Sequence, residues 1–379
     1  MSEQQAKQPP QRGLAEPPTG QVLLGPREGF VENIDTNIAL VKKRIKHQDF
    51  KLQTLTIGKY TQTKVVVAYI ASIAEPTVVK DVVKRLKQID CDGIIDSSYI
   101  SESLNPDRIA LYKAAAAEEK PDIIASRLLE GRVAIFVDGS PAVLTIPHLF
   151  LENIQNSNDY YSGNAGVTMK RTIRLLGSLI AILLPGFFLA VSLYHLSIIP
   201  LNTLESIANA TENHLFPPIV EMIIVIILFE IIYEATLIMP KHLGSAISII
   251  AVFVVGEVAA TVGLLSAPTV LVVAISGITS YIMPNMIAQI SVLRFIFCLI
   301  GGFLGLYGLV AAFIVLLVYT AGIDHYGAPY LAPFTPYIAD DQKDALTKVP
   351  FPEMLERPRS IPNCNPIRQN SREQQDDKQ

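Results

Sequence analysis

FPPIVEMIIVIILFEIIYEATLIMP, residues 216–240, runs straight into KHLGSAISIIAVFVVGEVAATVGLLSAP (241–268) and TVLVVAISGITSYIMPN (269–285). These are long apolar runs cut by prolines, with carboxylates placed inside them. From Leu175 to Gln289 the formal charges are Glu205, Glu212, Glu221, Glu230, Glu234, Lys241 and Glu257 alone. A helix needs about 20 apolar residues to cross a bilayer. A glutamate held in such a helix costs kilocalories unless it faces protein, water or an ion. The block therefore reads as membrane-embedded, and its inner glutamates as functional candidates.

Outward from this block the charges are segregated. The chain has 379 residues, 50% of them hydrophobic, and a mean hydropathy of +0.35, yet its charged residues crowd into the part before about Arg174 and into the C-terminal end. Composition predicts a disordered Pro/Gln/Gly lead-in (1–24), a soluble α/β domain (25–170), an all-α polytopic membrane domain (171–322) and a polar C-terminal tail (323–379). A net charge of −4 gives no electrostatic case for nucleic acid. The first 20 residues hold no apolar core, so no cleavable signal peptide is expected. Cys91, Cys298 and Cys364 stand isolated, without CxxC spacing, and read as reduced thiols rather than metal ligands.

In the soluble part, Phe30, Ile34, Ile38, Val41 and Ile45 recur at helical spacing and predict an amphipathic helix from Pro26 to His47. Residues 50–58 and 63–70 read as strands, the second carrying the β-branched run KVVVAYI. Val79, Val82, Val83 and Leu86 form one stripe of a helix over about 77–89. Residues 121–129 read as helix, and EGRVAIFVDGSPAVLTIP as two strands around the turn Asp138-Gly139-Ser140-Pro141. Strands alternating with helices imply an α/β domain. No GxGxxG, Walker or Ser/His/Asp grouping is present, and Asp90, Asp92 and Asp96 lack the glycine and terminal glutamate of a calcium loop. The sequence calls for neither an enzyme nor a cofactor.

Asn158, Asp159, Tyr160 and Tyr161 place aromatics at the expected membrane boundary, and Lys170, Arg171 and Arg174 precede the first span. By the positive-inside rule the soluble domain is cytoplasmic. Five apolar segments follow, 173–196, 218–239, 243–265, 269–288 and 293–321. Five crossings would place the C-terminal tail outside, against its own Lys and Arg content. The segment between Pro268 and Pro284 is therefore expected to be broken or re-entrant, giving four to five apolar segments in all. Gly301 and Gly305 form a small-xxx-small pair that suits close helix packing.

GPREGFVENIDTNIALVKKRIK (25–46), EGRVAIFVDGSP (130–141), NDYY (158–161), FPPIVEMIIVIILFEIIYEA (216–235), LLSAP (264–268), APYLAPFTP (328–336) and the pair Arg357-Pro358 together resemble the A subunit of GerA-type spore germinant receptors. Stage V sporulation protein AF is similar over the same stretch. The resemblance implies a spore inner-membrane protein that works with a transporter-like B subunit and a lipoprotein C subunit. It also implies a homo-oligomer around an ion pore opened by nutrients. Family members carry a further soluble subdomain before the GPREGF element. Their second-span motif FEILREAGIRLP has arginines where this chain has Tyr233 and Ile238, and Glu257 is an added negative charge.

Glu230 and Glu234 are four residues apart on one helical face, and Glu221 lies opposite near the membrane boundary. In an oligomer the pair would form acidic rings suited to cations. The alternative is that they hydrogen-bond between helices and fix packing. Glu221 suits a helix start, and Lys241 the inner boundary.

Overall fold

The computed structural model describes residues 25–105, 110–161, 166–198, 215–238 and 265–369. The chain divides into two compact units, one formed by the parts before Met169 and after Tyr319, the other by Met169–Tyr319.

The first unit is an α/β domain around a five-stranded sheet of order β1-β2-β4-β5-β3, with β1 Phe50–Ile57, β2 Thr63–Ile70, β3 Ala116–Glu118, β4 Val133–Val137 and β5 Val143–Ile146. Every neighbouring pair is antiparallel. Helices α2 (Pro76–Lys87) and α3 (Ser97–Leu104) cover one face, packing on Val65, Val67 and Ile135. Helices α1 (Ile34–Arg44) and α4 (Pro121–Leu129) cover the other, packing on Val66, Ala68 and Phe136. A strand buried on both faces needs an unbroken apolar run, which explains why β2 reads VVVA and β4 VAIFV.

The helix predicted from Pro26 begins eight residues later. Asn33 caps it, its side chain accepting from the Thr36 N–H at 3.0 Å. Asn37 holds the incoming chain extended, bonding both the N–H and the carbonyl of Val31. The periodic apolar residues before Ile34 reach the core from extended backbone, which spacing alone does not separate from a first helical turn. The strand β3 lies in an alanine run and exists through its pairing with β5.

The seam beyond β5 is held by Glu152 of the short helix α5 (Leu151–Ile154). Its carboxylate pairs with Arg132 and, at 3.0 Å, with Arg127. Burial pushes this carboxyl up, but the two guanidiniums hold it down to about 2.

Residues 324–369, within the stretch read as a polar C-terminal tail, fold onto this α/β unit. Asn363 bridges Ala74, the Cys364 N–H donates to the Ile73 carbonyl at 2.8 Å, and Arg357 Nε donates to the Leu129 carbonyl at 2.7 Å. Tyr330 is buried and stacks on Tyr112 with ring centroids 4.8 Å apart. The buried Ala328, Tyr330 and Ile361 give this stretch the apolar anchor that a free tail lacks. The boundary tyrosines of α6 (Ser157–Tyr161) bond within the same unit, Tyr160 to Asp344 at 2.9 Å and Tyr161 to Asp122 at 2.5 Å.

The second unit is helical. Its described elements are α7 (Val167–Tyr194), α8 (Pro218–Ile238), α9 (Ala267–Ser280) and α10 (Ile287–Ala321), the last opened by a 3₁₀ turn over Pro284–Met286. Among the described residues two helices, α7 and α10 with its opening turn, are long and apolar enough to cross a bilayer. The apolar segment 243–265 lies, except for Leu265, outside the described residues. Where α7 crosses α10 the backbones touch. A Cβ on Gly301 would sit 2.2 Å from the Gly186 carbonyl oxygen, so only glycine fits.

Candidate functional site

Helix α8 carries three glutamates into apolar surroundings, and the structure gives each a different place. Glu221, in the first turn of α8, is buried, and its carboxylate accepts the backbone N–H of Ser266. Ser266 is the N-cap of α9, so the carboxylate lies at the positive end of the neighbouring helix dipole as well as its own.

Glu230 accepts from the guanidinium of Arg294 on α10. Arg294 is fully buried, with Ser276 Oγ of α9 and Ser291 Oγ each at 3.4 Å and the Phe229 ring centroid 5.3 Å from its guanidinium carbon. Ser276 in turn donates to the Ala181 carbonyl of α7 at 2.7 Å. One polar chain thus links all four described helices of this unit: α8 through Glu230, α10 through Arg294, α9 through Ser276 and α7 through Ala181. Within an apolar medium such links hold helices in register, since each broken one strands a polar group.

Glu234, one turn further along α8, is exposed. Arg294 brings Glu230 a positive charge from another helix, where the family arginines are absent at positions 233 and 238. Arg294 was missed because the family arginines were sought within α8 at 233 and 238. The signal was present, for Arg294 is the one formal charge in residues 287–321. Tyr233 sits 5.6 Å, ring to ring, from Tyr281 at the end of α9. Glu257 and Lys241 lie outside the described residues.

Pro268 lies in the first turn of α9, and Pro284 opens the 3₁₀ turn that leads into α10. Between them α9 has 14 residues, about 21 Å of helix at 1.5 Å per residue, short of the roughly 30 Å hydrocarbon core. The small-xxx-small reading of Gly301 and Gly305 also divides. Gly301 makes the close crossing, whereas Gly305, at φ 65° and ψ −159°, breaks α10 in a conformation open to glycine. The Tyr194 hydroxyl of α7 donates to the carbonyls of Gly302 and Phe303, at 2.9 and 3.1 Å, which the break deprives of helical partners.

Residues 3–360 match the model of the Bacillus/Clostridium GerA spore germination protein family. The chain belongs to this family. Among the relatives of this GerA-family chain, spore germination protein KA of Bacillus subtilis is 35% identical over 95% of the chain and 66% of its own length. The Bacillus subtilis membrane protein YfkQ is 36% identical over 92% of the chain and 68% of its own length. The chain thus spans about two thirds of these relatives. A crystal structure of the N-terminal domain of the A subunit of the Bacillus megaterium spore germinant receptor GerK3 is 43% identical, covering 32% of this chain and 97% of that one, with a TM-score of 0.28.

Proposed function

We propose that this GerA-family chain is the membrane subunit of a spore germinant receptor, coupling nutrient sensing to ion release by forming or gating an oligomeric cation pore. The observation that carries this reading is the division of labour on α8. Glu230 is spent on the internal link to Arg294, whereas the exposed Glu234 one turn away has no ion pair among the described residues and is available to form a ring in a homo-oligomer. On this reading the α/β unit lies in the cytoplasm, where it receives or passes on the signal, and the membrane is the spore inner membrane or the cell membrane. The partners are a transporter-like subunit and a lipoprotein subunit.

Because the chain before Met169 and after Tyr319 forms one folded unit, the membrane unit should cross an even number of times. That agrees with the charge of the tail and with α9 as a segment too short to span. A second reading, a non-conducting scaffold or a stage V AF-like subunit, draws support from the neutralised Glu230, whose link to Arg294 needs no passing ion.

The test is cation efflux from vesicles or cells holding the full chain. Glu234→Gln should lower the leak with abundance unchanged, and Glu230→Gln should act chiefly on stability. An unchanged leak in Glu234→Gln removes the acidic ring and leaves the scaffold.

A further inference from the structure

The strand β1 is an edge of the sheet, and its covering helices overhang it. On the α2 side a cleft of about 680 Å³ is lined by Gln53, Tyr69, Val79, Lys80, Val83 and Lys84. A second, of about 230 Å³, shares Lys87 with the first and continues beside Leu55, Thr56 and Ile57. On the α1 side a hollow of about 260 Å³ lies between Lys42 and Ile38 of α1 and Leu52 and Thr54 of β1. The sheet thus ends one strand short of its two covering layers.

Beside this edge lysines outnumber carboxylates, Asp81 being the acidic residue of α2. Lys59 and Lys64 pair with Asp90 and Asp35. Lys42, Lys51, Lys80, Lys84 and Lys87 enter no ion pair among the described residues and are exposed. Lysines on an edge strand commonly guard it against unwanted pairing. Here, however, one exposed lysine lies on β1 itself, while three line an apolar-floored cleft on the neighbouring helix. Along α2, Lys80, Lys84 and Lys87 rise by about 6 and 4.5 Å, comparable to the roughly 6.6 Å between alternate side chains of a strand.

We propose that this edge docks an acidic, extended segment of a partner protein as a sixth strand, its carboxylates meeting the α2 lysines and its apolar residues filling the clefts. The ends of the present chain do not match that description. Residues 1–24 hold Glu3 and Glu16 against Lys7 and Arg12, and residues 370–379 contain no apolar side chain.

The probe is a dye-labelled, end-capped octapeptide of alternating glutamate and valine, added to the full chain in an uncharged detergent. Fluorescence anisotropy should show binding, weakened about tenfold in the Lys80→Gln/Lys84→Gln/Lys87→Gln variant, as expected from losing three exposed ion pairs. Hydrogen exchange should slow at the outward amides of β1. A lysine-valine octapeptide should not bind. The proposal is overturned by absence of binding, by equal binding to the triple variant, or by binding without β1 protection. Full displacement by citrate with no β1 protection would assign the lysines to a small-anion site instead. The exposed lysines are not structural, so an unchanged circular dichroism spectrum confirms that the variant is folded.

Discussion

Replacing Glu230 by alanine leaves the Arg294 guanidinium buried with only weak acceptors. Its side chain is 1% exposed, against 34% for Glu230, and the remaining hydroxyls stand at 3.4 Å. A charged side chain stranded inside a membrane helix bundle costs about 3 kcal/mol on insertion scales. The reverse change, Arg294→Met, leaves a carboxylate that is one-third exposed and should cost less, about 2 kcal/mol, most of it lost packing and hydrogen bonding. With both changed no charge is stranded, and the double variant should cost about 3 kcal/mol rather than 5. The coupling is thus about 2 kcal/mol, or about 30-fold in the unfolding constant. Reversible unfolding of the full chain in mixed detergent and SDS micelles, followed by helicity, measures all four corners of the cycle. Additive single effects, or Arg294→Met costing more than Glu230→Ala, would refute the argument that the buried cation depends on Glu230.

Two further outcomes are expected. Because Glu152 is held at about 2 against an ordinary 4.5, the folded state binds its proton more weakly than the unfolded state. Its contribution is therefore complete above pH 4.5 and lost as pH falls toward 2, about 3 kcal/mol across that window. Urea unfolding of the α/β unit in the full chain should show this loss, and Glu152→Gln should flatten it; an equally steep acid slope in the variant would place the titration elsewhere. For topology, the exposed Cys364 and a cysteine at the exposed position of Tyr60 (Tyr60→Cys) should react with an impermeant maleimide from the same side of the membrane. Reaction from opposite sides would exclude an even number of crossings.

Much of the α/β unit could be read from the sequence. The strands at 50–57 and 63–70 and the helix at 121–129 follow from local periodicity and turn residues, because each buries a face that its own sequence pattern defines. The start of α1 could not, since Asn37 fixes that entry by bonding to Val31. Of the site, Glu221, Glu230 and Glu234 stood out by their charge in apolar runs, but their roles did not.

The sequence by itself determined that a charged α/β domain joins an apolar helical block, and that glutamates within this block require partners, because side-chain polarity and periodicity are properties of a segment. The tertiary structure decided which partner each glutamate has. Arg294 lies 64 residues from Glu230, and Ser266 45 residues from Glu221. It decided also that residues after Tyr319 return to the first unit and that Gly301 serves a crossing while Gly305 serves a break. Such choices arise from long-range packing, in which the energy of a buried charge depends on what another part of the chain brings to it.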